Sequence, residues 1–191
     1  ERFRRQRQMC IRDSLLTERG VDQAQVLLSM FDKDGSPYMG DPRQVLQALV
    51  TRFTEKELKP CMAVELEFSL LPKPETSETI GTALRDQNAV GGNLYALSEL
   101  DYHGPLLEAL RQAFDTQDLP YEGIIKESAP SQFEINVAHS DDVMLLADQV
   151  IRMQRTIRAV SARHGFVASF MPKPIDNCLL YTSPSPRDSL E

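Results

Sequence analysis

Met62-Ala63-Val64-Glu65-Leu66-Glu67-Phe68-Ser69-Leu70 alternates from end to end. Met62, Val64, Leu66 and Phe68 fall on one side, and Ala63, Glu65, Glu67 and Ser69 on the other. A period of two marks a strand with one buried face. Gln132-Phe133-Glu134-Ile135-Asn136-Val137-Ala138 repeats the pattern, with Phe133, Ile135 and Val137 opposite Gln132, Glu134 and Asn136. Residues 121–128 read as a third strand, joined to the second through Ala129-Pro130-Ser131, so 121–128 and 132–138 are expected to form a hairpin.

Outward from these strands the period changes. Asp41-Pro42 predicts a helix start, a capping carboxylate followed by proline at the first helical position. Val45, Leu46, Leu49, Val50 and Phe53 then share one face. Gly104-Pro105 is expected to open a second helix, with Leu106, Leu107, Leu110 and Phe114 inward. Ser140 or Asp141 caps the longest helix. Its apolar residues Val143, Leu146, Ala147, Val150, Met153, Ile157 and Val160 stand three and four apart, and Gly165 ends it. Residues 24–31 and 166–170 read as strands. Asp32-Lys33-Asp34-Gly35 after the first of these is a tight turn rather than a calcium loop, because Tyr38-Met39-Gly40 do not continue the ligand spacing. Residues 71–100, rich in Pro, Thr and Gly, form a long loop of the kind that usually carries function. Strands and helices interleave, and the fold class is α+β or mixed α/β.

The chain has 191 residues, 41% of them hydrophobic and 26% charged, which suits one domain with a sizeable core better than two. A net charge of −7 argues against a protein built to hold nucleic acid or anionic lipid. No apolar run approaches the roughly 20 residues of a membrane span. The cysteines, Cys10, Cys61 and Cys178, are too few and scattered for a disulfide framework or a zinc site, so a reduced cytoplasmic setting is expected.

The two ends differ from the rest. Residues 1–14 hold five arginines and no lysine, and residues 178–191 run through Ser183-Pro184-Ser185-Pro186-Arg187-Asp188. One reading is an ordinary pair of frayed termini. The sharper one is that residues 4–14 and 178–188 are translated sequencing-library adapters, one at each end, and both ends are set aside from fold reasoning. The first segment sums to +3 and the last to −1, so residues 15–177 carry −9.

Chemistry concentrates in the carboxylates. Glu65 and Glu67 leave the sheet on one side with Cα atoms about 7 Å apart. Glu134 lies on the polar face of its strand, and Glu127 across the turn from it. Like charges on a shared face repel, and a cation offsets that cost. Oxygen ligands without His or Cys select a hard ion, Mg²⁺ or Mn²⁺. Spacing alone leaves two readings open, a cation site or a solvated acidic face. The histidines weigh less: His164 reads as a helix C-terminal dipole partner, His103 as a loop residue and His139 as a surface residue.

Several segments together resemble the glutamine synthetase family. Asp34-Gly35 followed by Gly40-Asp41-Pro42-Arg43 is similar to the link from the family's β-grasp domain into its catalytic domain. Val64-Glu65-Leu66-Glu67-Phe68 resembles its E-x-E metal strand, and Glu127-Ser128-Ala129-Pro130-Ser131-Gln132-Phe133-Glu134 its E-x-x-P-x-Q-x-E segment. Ala147-Asp148-Gln149, Arg163-His164-Gly165 and Phe170-Met171-Pro172-Lys173-Pro174 resemble the family's next helix and strand. The resemblance implies residues 15–41 as the end of a β-grasp domain and 42–177 as the N-terminal half of a catalytic domain, a curved antiparallel sheet with flanking helices.

The resemblance also implies a chemistry: ATP-dependent amide formation on the γ-carboxyl of glutamate through γ-glutamyl phosphate, with Mg²⁺ or Mn²⁺. It implies Glu67, Glu127 and Glu134 at one ion and Glu65 at the second. Glu127 would also take the proton of the incoming amine, Glu122 would contact the nucleotide, and Tyr95 would lie in the substrate site. For Glu122 a solvated acid at the start of a strand remains an equal reading. Ile125-Lys126 stand where many ammonia-using members carry histidines, and the segment from Ala63 to Phe68 looks more like the γ-glutamylpolyamine synthetase branch, whose acceptor is putrescine or a related amine. A ring-shaped homo-oligomer is implied for the parent. The family's remaining metal, glutamate and phosphate ligands lie beyond Met171-Pro172-Lys173-Pro174, so this chain alone is expected to be inactive. The rival readings are an ammonia-using glutamine synthetase, a non-catalytic structural or regulatory relative, and an unrelated α+β binding domain.

Overall fold

The computed structural model describes residues 6–7, 27–73, 97–172 and 174. Of the long loop expected over 71–100, residues 74–96 with Gly91-Gly92 and Tyr95 lie outside the described residues, as do 173 and 175–191, while 71–72 belong to a strand and 97–100 to a helix. The fold is α+β. It divides into two compact units, each discontinuous in sequence: Glu1–Val64, Arg111–Tyr121 and Val137–Thr156 in one, and Glu65–Leu110, Glu122–Asn136 and Ile157–Glu191 in the other.

In the first unit the Asp-Gly turn forms as its sequence requires, with Gly35 at φ +87° and the Asp34 carboxylate accepting from the Ser36 backbone N–H and hydroxyl. Short strand β2 (Leu28–Ser29) precedes it and pairs antiparallel with β1 (Gln6–Arg7), a ladder too brief to anchor a segment. Of the strand expected over 24–31, residues 24–26 lie outside the described residues. Helix α1 (Pro42–Thr54) starts where expected, Asp41 accepting from the Arg43 N–H at 2.9 Å and also from the Met30 N–H at 2.9 Å.

The apolar face of α1 is not buried. Val45, Leu49 and Phe53 remain 36%, 44% and 43% exposed, and among its residues only Gln44 is buried. Polar contacts hold this helix instead. Gln44 donates to the Met30 carbonyl, while Arg43 makes a two-pronged ion pair with Asp148 at 3.0 Å and donates to the Ser29 hydroxyl. The apolar core of the unit lies elsewhere, in Phe114, Leu119, Val137, Val143, Leu146 and Met153. Gln117 and Thr156 satisfy each other within it at 3.0 Å.

The second unit contains most of the four-stranded sheet, in the order β4 (Tyr121–Lys126), β5 (Gln132–Ser140), β3 (Met62–Pro72), β6 (Phe166–Ser169), so among the described residues β4 and β6 are its edges. The terminal residues of β3, β4 and β5 belong to the first unit. β3 and β6 pair antiparallel, Ser69 opposite Ser169. The expected β4–β5 hairpin is present: Glu127 N–H donates to the Gln132 carbonyl, and Ser131 turns the chain at φ +52°. The alternation read in the sequence holds for the apolar side from Leu66 onward, but Met62 at the start of β3 stays exposed, and Ser69 and Gln132 on the opposite side are buried. Leu66, Phe68 and Leu70 of β3 and Phe133 and Ile135 of β5 are buried, and Phe68 meets Phe133 and Phe170 with ring centroids 6.0 Å apart.

Two helix starts differ from expectation. Helix α2 (Leu97–Thr116) begins seven residues before Gly104 and carries Pro105 inside it. Proline removes one intrahelical hydrogen bond, and the turn preceding it is held by tertiary contacts. His103, expected in a loop, is 2% exposed and lies edge-on to Phe133 and Phe166 at 5.3 and 5.1 Å. Helix α3 (Val143–Arg163) is capped by Asp142, whose Oδ1 accepts from the Leu145 N–H, while Ser140 Oγ accepts from Asp142 N–H. Neither Ser140 nor Asp141 is the cap, because it is Asp142 that stands three residues before the first orphan N–H its carboxylate reaches. Gly165 ends the helix at φ +81°, as expected.

Burial holds His103 below its ordinary pKa, with Lys126 adding to the shift and Glu99 opposing it. The folded state therefore resists a proton that the unfolded chain accepts near pH 6.5. The stability His103 contributes is complete above that pH and is lost as pH falls below it. Urea unfolding at pH 7.5 and 5.5 is expected to show a lower midpoint at the acid pH, with the drop reduced in His103→Phe. Equal drops in both proteins would refute this assignment.

Candidate active site

All five acids singled out in the sequence, Glu65, Glu67, Glu122, Glu127 and Glu134, fall in the second unit. β3 carries Glu65 and Glu67, β5 carries Glu134, and Glu127 comes directly after β4. Glu67, Glu127 and Glu134 are half-buried and Glu65 is exposed. Glu122 is exposed near the start of β4, and His139 is exposed near the end of β5.

The acids sense one another. Burial raises the Glu67 carboxyl above its ordinary pKa, Glu127 and Glu65 raise it further, and a hydrogen bond from Gln132 pulls against them. Burial also raises Glu134, followed by Glu65, Glu127 and Glu67, with Asn136 opposing. Glu65, Glu67, Glu127 and Glu134 therefore lie within electrostatic reach of one another on neighbouring strands. Their carboxylates do not converge: among the described residues, no three His, Cys, Asp or Glu side chains sit close enough to hold an ion. Two of them are turned to other donors. Glu67 Oε2 takes the Gln132 amide at 2.8 Å, and Glu127 Oε2 takes the Ser128 N–H at 3.3 Å. The donor set fits a hard divalent cation by its chemistry, all oxygen and partly desolvated.

An open hollow of about 120 Å³ adjoins Glu67, lined also by Phe68, Ser69, Gln132, Phe170, Met171 and Pro172. Gln132 has a role that sequence reasoning missed. It is 3% exposed, donating to Glu67 and accepting the Ala129 N–H at 3.2 Å through its Oε1, so it ties the metal-type strand to the hairpin turn. Its place on the face shared with Glu134 was the available signal. Lys126 was likewise legible only as a departure from the family pattern, although a lysine at an inward position of a strand is itself unusual.

A profile of the glutamine synthetase catalytic domain matches residues 39–178. The chain belongs to the glutamine synthetase family. Within that family it is 33% identical over 159 residues to the gamma-glutamylputrescine synthetase of Escherichia coli, covering 80% of this chain and 33% of the relative. It is 31% identical over 145 residues to type-1 glutamine synthetase 1 of Dictyostelium discoideum, covering 73% and 28%. Among solved structures, one described as a GmaS/ADP complex superposes with a TM-score of 0.66 at 21% identity, over 78% of this chain and 33% of its own. That likeness supports the fold, the interleaved helices and antiparallel sheet of a glutamine synthetase catalytic domain. The chain spans about a third of the length of these relatives.

Proposed function

We propose that this chain supplies part of a ligase that forms an amide on the γ-carboxyl of glutamate with ATP. The observation that carries the reading is the set of mutually repelling carboxylates on β3, the hairpin turn and β5, inside a segment that matches the glutamine synthetase catalytic domain. A γ-carboxylate oxygen of glutamate attacks the terminal phosphorus of ATP and ADP departs. An amine then attacks the γ-carbonyl carbon, phosphate leaves, and the amine gives up a proton.

Glu127 is the proposed proton acceptor. Its carboxylate also attracts the acceptor while that is still an ammonium ion. Glu67, Glu127 and Glu134 would hold one Mg²⁺ or Mn²⁺ and Glu65 a second, and such ions supply charge neutralisation for the transferring phosphoryl group. Use of a nucleotide is supported by a structural relative described with ADP, and Glu122 on β4 is proposed to contact it. The parent is proposed to be a cytoplasmic, ring-forming homo-oligomer. Residues 1–14 and 178–191 are proposed to be adapter translations, which resequencing the source gene without a transposon library checks.

A polyamine such as putrescine is the proposed acceptor. The similarity to gamma-glutamylputrescine synthetase and Ile125-Lys126 ahead of Glu127 support this. Ammonia is the second reading, favoured by the nearly equal similarity to a glutamine synthetase. Phosphate release by the full-length ligase with glutamate and ATP, supplied with putrescine or with ammonium, separates the two. Faster turnover with ammonium would overturn the polyamine reading, and no release with either would overturn the ligase reading.

Metal binding gives a signature independent of turnover. Glu67 and Glu134 have raised pKa values, so without a cation they cost stability as pH rises through and above the ordinary glutamate range. A bound cation reverses that cost, while protons compete with it at low pH. Mn²⁺ at about 100 times its Kd is expected to add roughly 2.7 kcal/mol at pH 7.5 and almost nothing at pH 4. An equal shift at both pH values, read by thermal melting, would remove these carboxylates from the metal site.

A further inference from the structure

We propose that Lys126 is a positioning residue, which holds Glu127 in place by gripping the backbone of the turn after it. The proposal deepens the ligase reading and rests on it. Lys126 is 1% exposed, and its side chain is wholly buried. A lysine so placed is tolerated when the three donors of its ammonium are engaged. Here Nζ donates to the carbonyls of Glu127 and of Ala129, the latter at 2.7 Å, and faces the Glu99 carboxylate at 3.5 Å.

Other side chains complete the grip. Glu99 Oε2 accepts the Ser131 N–H at 2.7 Å, and His103 Nε2 lies 3.1 Å from Ser131 Oγ. Gln132 Oε1 takes the Ala129 N–H. Ser131 sits at φ +52°, a conformation a serine adopts only when its surroundings enforce it. By contrast, among the described residues the Glu127 carboxylate has one long hydrogen bond, 3.3 Å to the Ser128 N–H. Its position is therefore set by the backbone beneath it, and Lys126 binds that backbone on both sides of Ser128. Removing the ammonium takes a charged donor from both carbonyls, leaves that of Ala129 with the Gln132 N–H at 3.1 Å, and lets the turn relax. A displacement of about 1 Å at a reacting group can cost about 100-fold in rate.

The test compares the full-length ligase with its Lys126→Met and Glu99→Gln variants. Each is characterised by circular dichroism, a Mn²⁺ binding isotherm, and steady-state kinetics with putrescine, ammonium and ATP varied separately. Folded Lys126→Met is expected to turn over about 100-fold more slowly and to bind Mn²⁺ about ten-fold more weakly, with the KM for ATP within two-fold of wild type. A purely structural lysine would not produce that split. Folded Lys126→Met with unchanged Mn²⁺ affinity and rate overturns the proposal, as does a loss in which the KM for ATP rises in parallel. If Lys126→Met does not fold, Glu99→Gln decides, since it keeps an acceptor for Ser131 and removes only the counter-charge. Roughly three-fold weaker Mn²⁺ binding then supports the proposal, and wild-type affinity overturns it. A wild-type protein that releases no phosphate with either acceptor would sink the ligase reading, and the Mn²⁺ isotherms would still judge Lys126.

Discussion

Glu127→Gln in the full-length ligase is expected to lower amide formation by about 100-fold to 10,000-fold, the range a positioned general base contributes. Glutamine keeps the size and one acceptor oxygen of glutamate but loses the basic carboxylate. It also loses a negative charge from the proposed cation site, so the assay is run at saturating Mn²⁺ to separate the two effects. Under those conditions the step that consumes ATP should suffer less than the step that consumes the amine. Pulse experiments that track ADP and amide separately would show this as ADP formed ahead of amide. A loss under ten-fold, or equal loss in both steps, would take the proton-acceptor role away from Glu127.

Phe133→Ala should have the largest effect on stability. Phe133 is fully buried, 6.0 Å from the Phe68 ring and 5.3 Å from His103. It alternates with Gln132 and Glu134, so its side chain supports from below the strand that presents both. Truncating a buried phenylalanine costs about 3–5 kcal/mol, the lost burial plus the cavity left behind. That is a large share of a typical domain's stability. Urea unfolding should show the midpoint falling by the corresponding amount. A cost near 1 kcal/mol would mean that the sheet collapses around the gap and that Phe133 is not central to the core.

The strands were legible because their reading needs only parity. Leu66, Phe68, Phe133 and Ile135 are buried where alternation put them, and Glu67 and Glu134 share the opposite character. Helix α1 shows where such patterning stops. Its apolar stripe was read correctly as a stripe, yet Val45, Leu49 and Phe53 stay exposed, because a stripe specifies a need for cover and not what supplies it. The start of α2 was misread for a related reason. Gly104-Pro105 is a strong local signal for a helix start, and the contacts of His103 and Glu99 with residues some thirty positions away override it.

At the site, the motif residues were identified through resemblance, and the second unit does contain them all. The tethers were not legible. Gln132 on Glu67 spans 65 positions, and the ammonium of Lys126 acts on carbonyls, which every residue possesses and no sequence displays.

The order of the four-stranded sheet has a practical consequence. Among the described residues β4 and β6 stand at its edges, and an edge strand offers a row of backbone donors and acceptors to any strand that arrives. Produced by itself, such a chain tends to find that strand in another copy and to enter inclusion bodies. Produced beside a second polypeptide carrying the remaining two thirds of a relative, it is offered a competing partner for those edges. Co-production of the two pieces, followed by recovery of this chain in the soluble fraction, would show whether those edges are where the rest of the proposed ligase joins it.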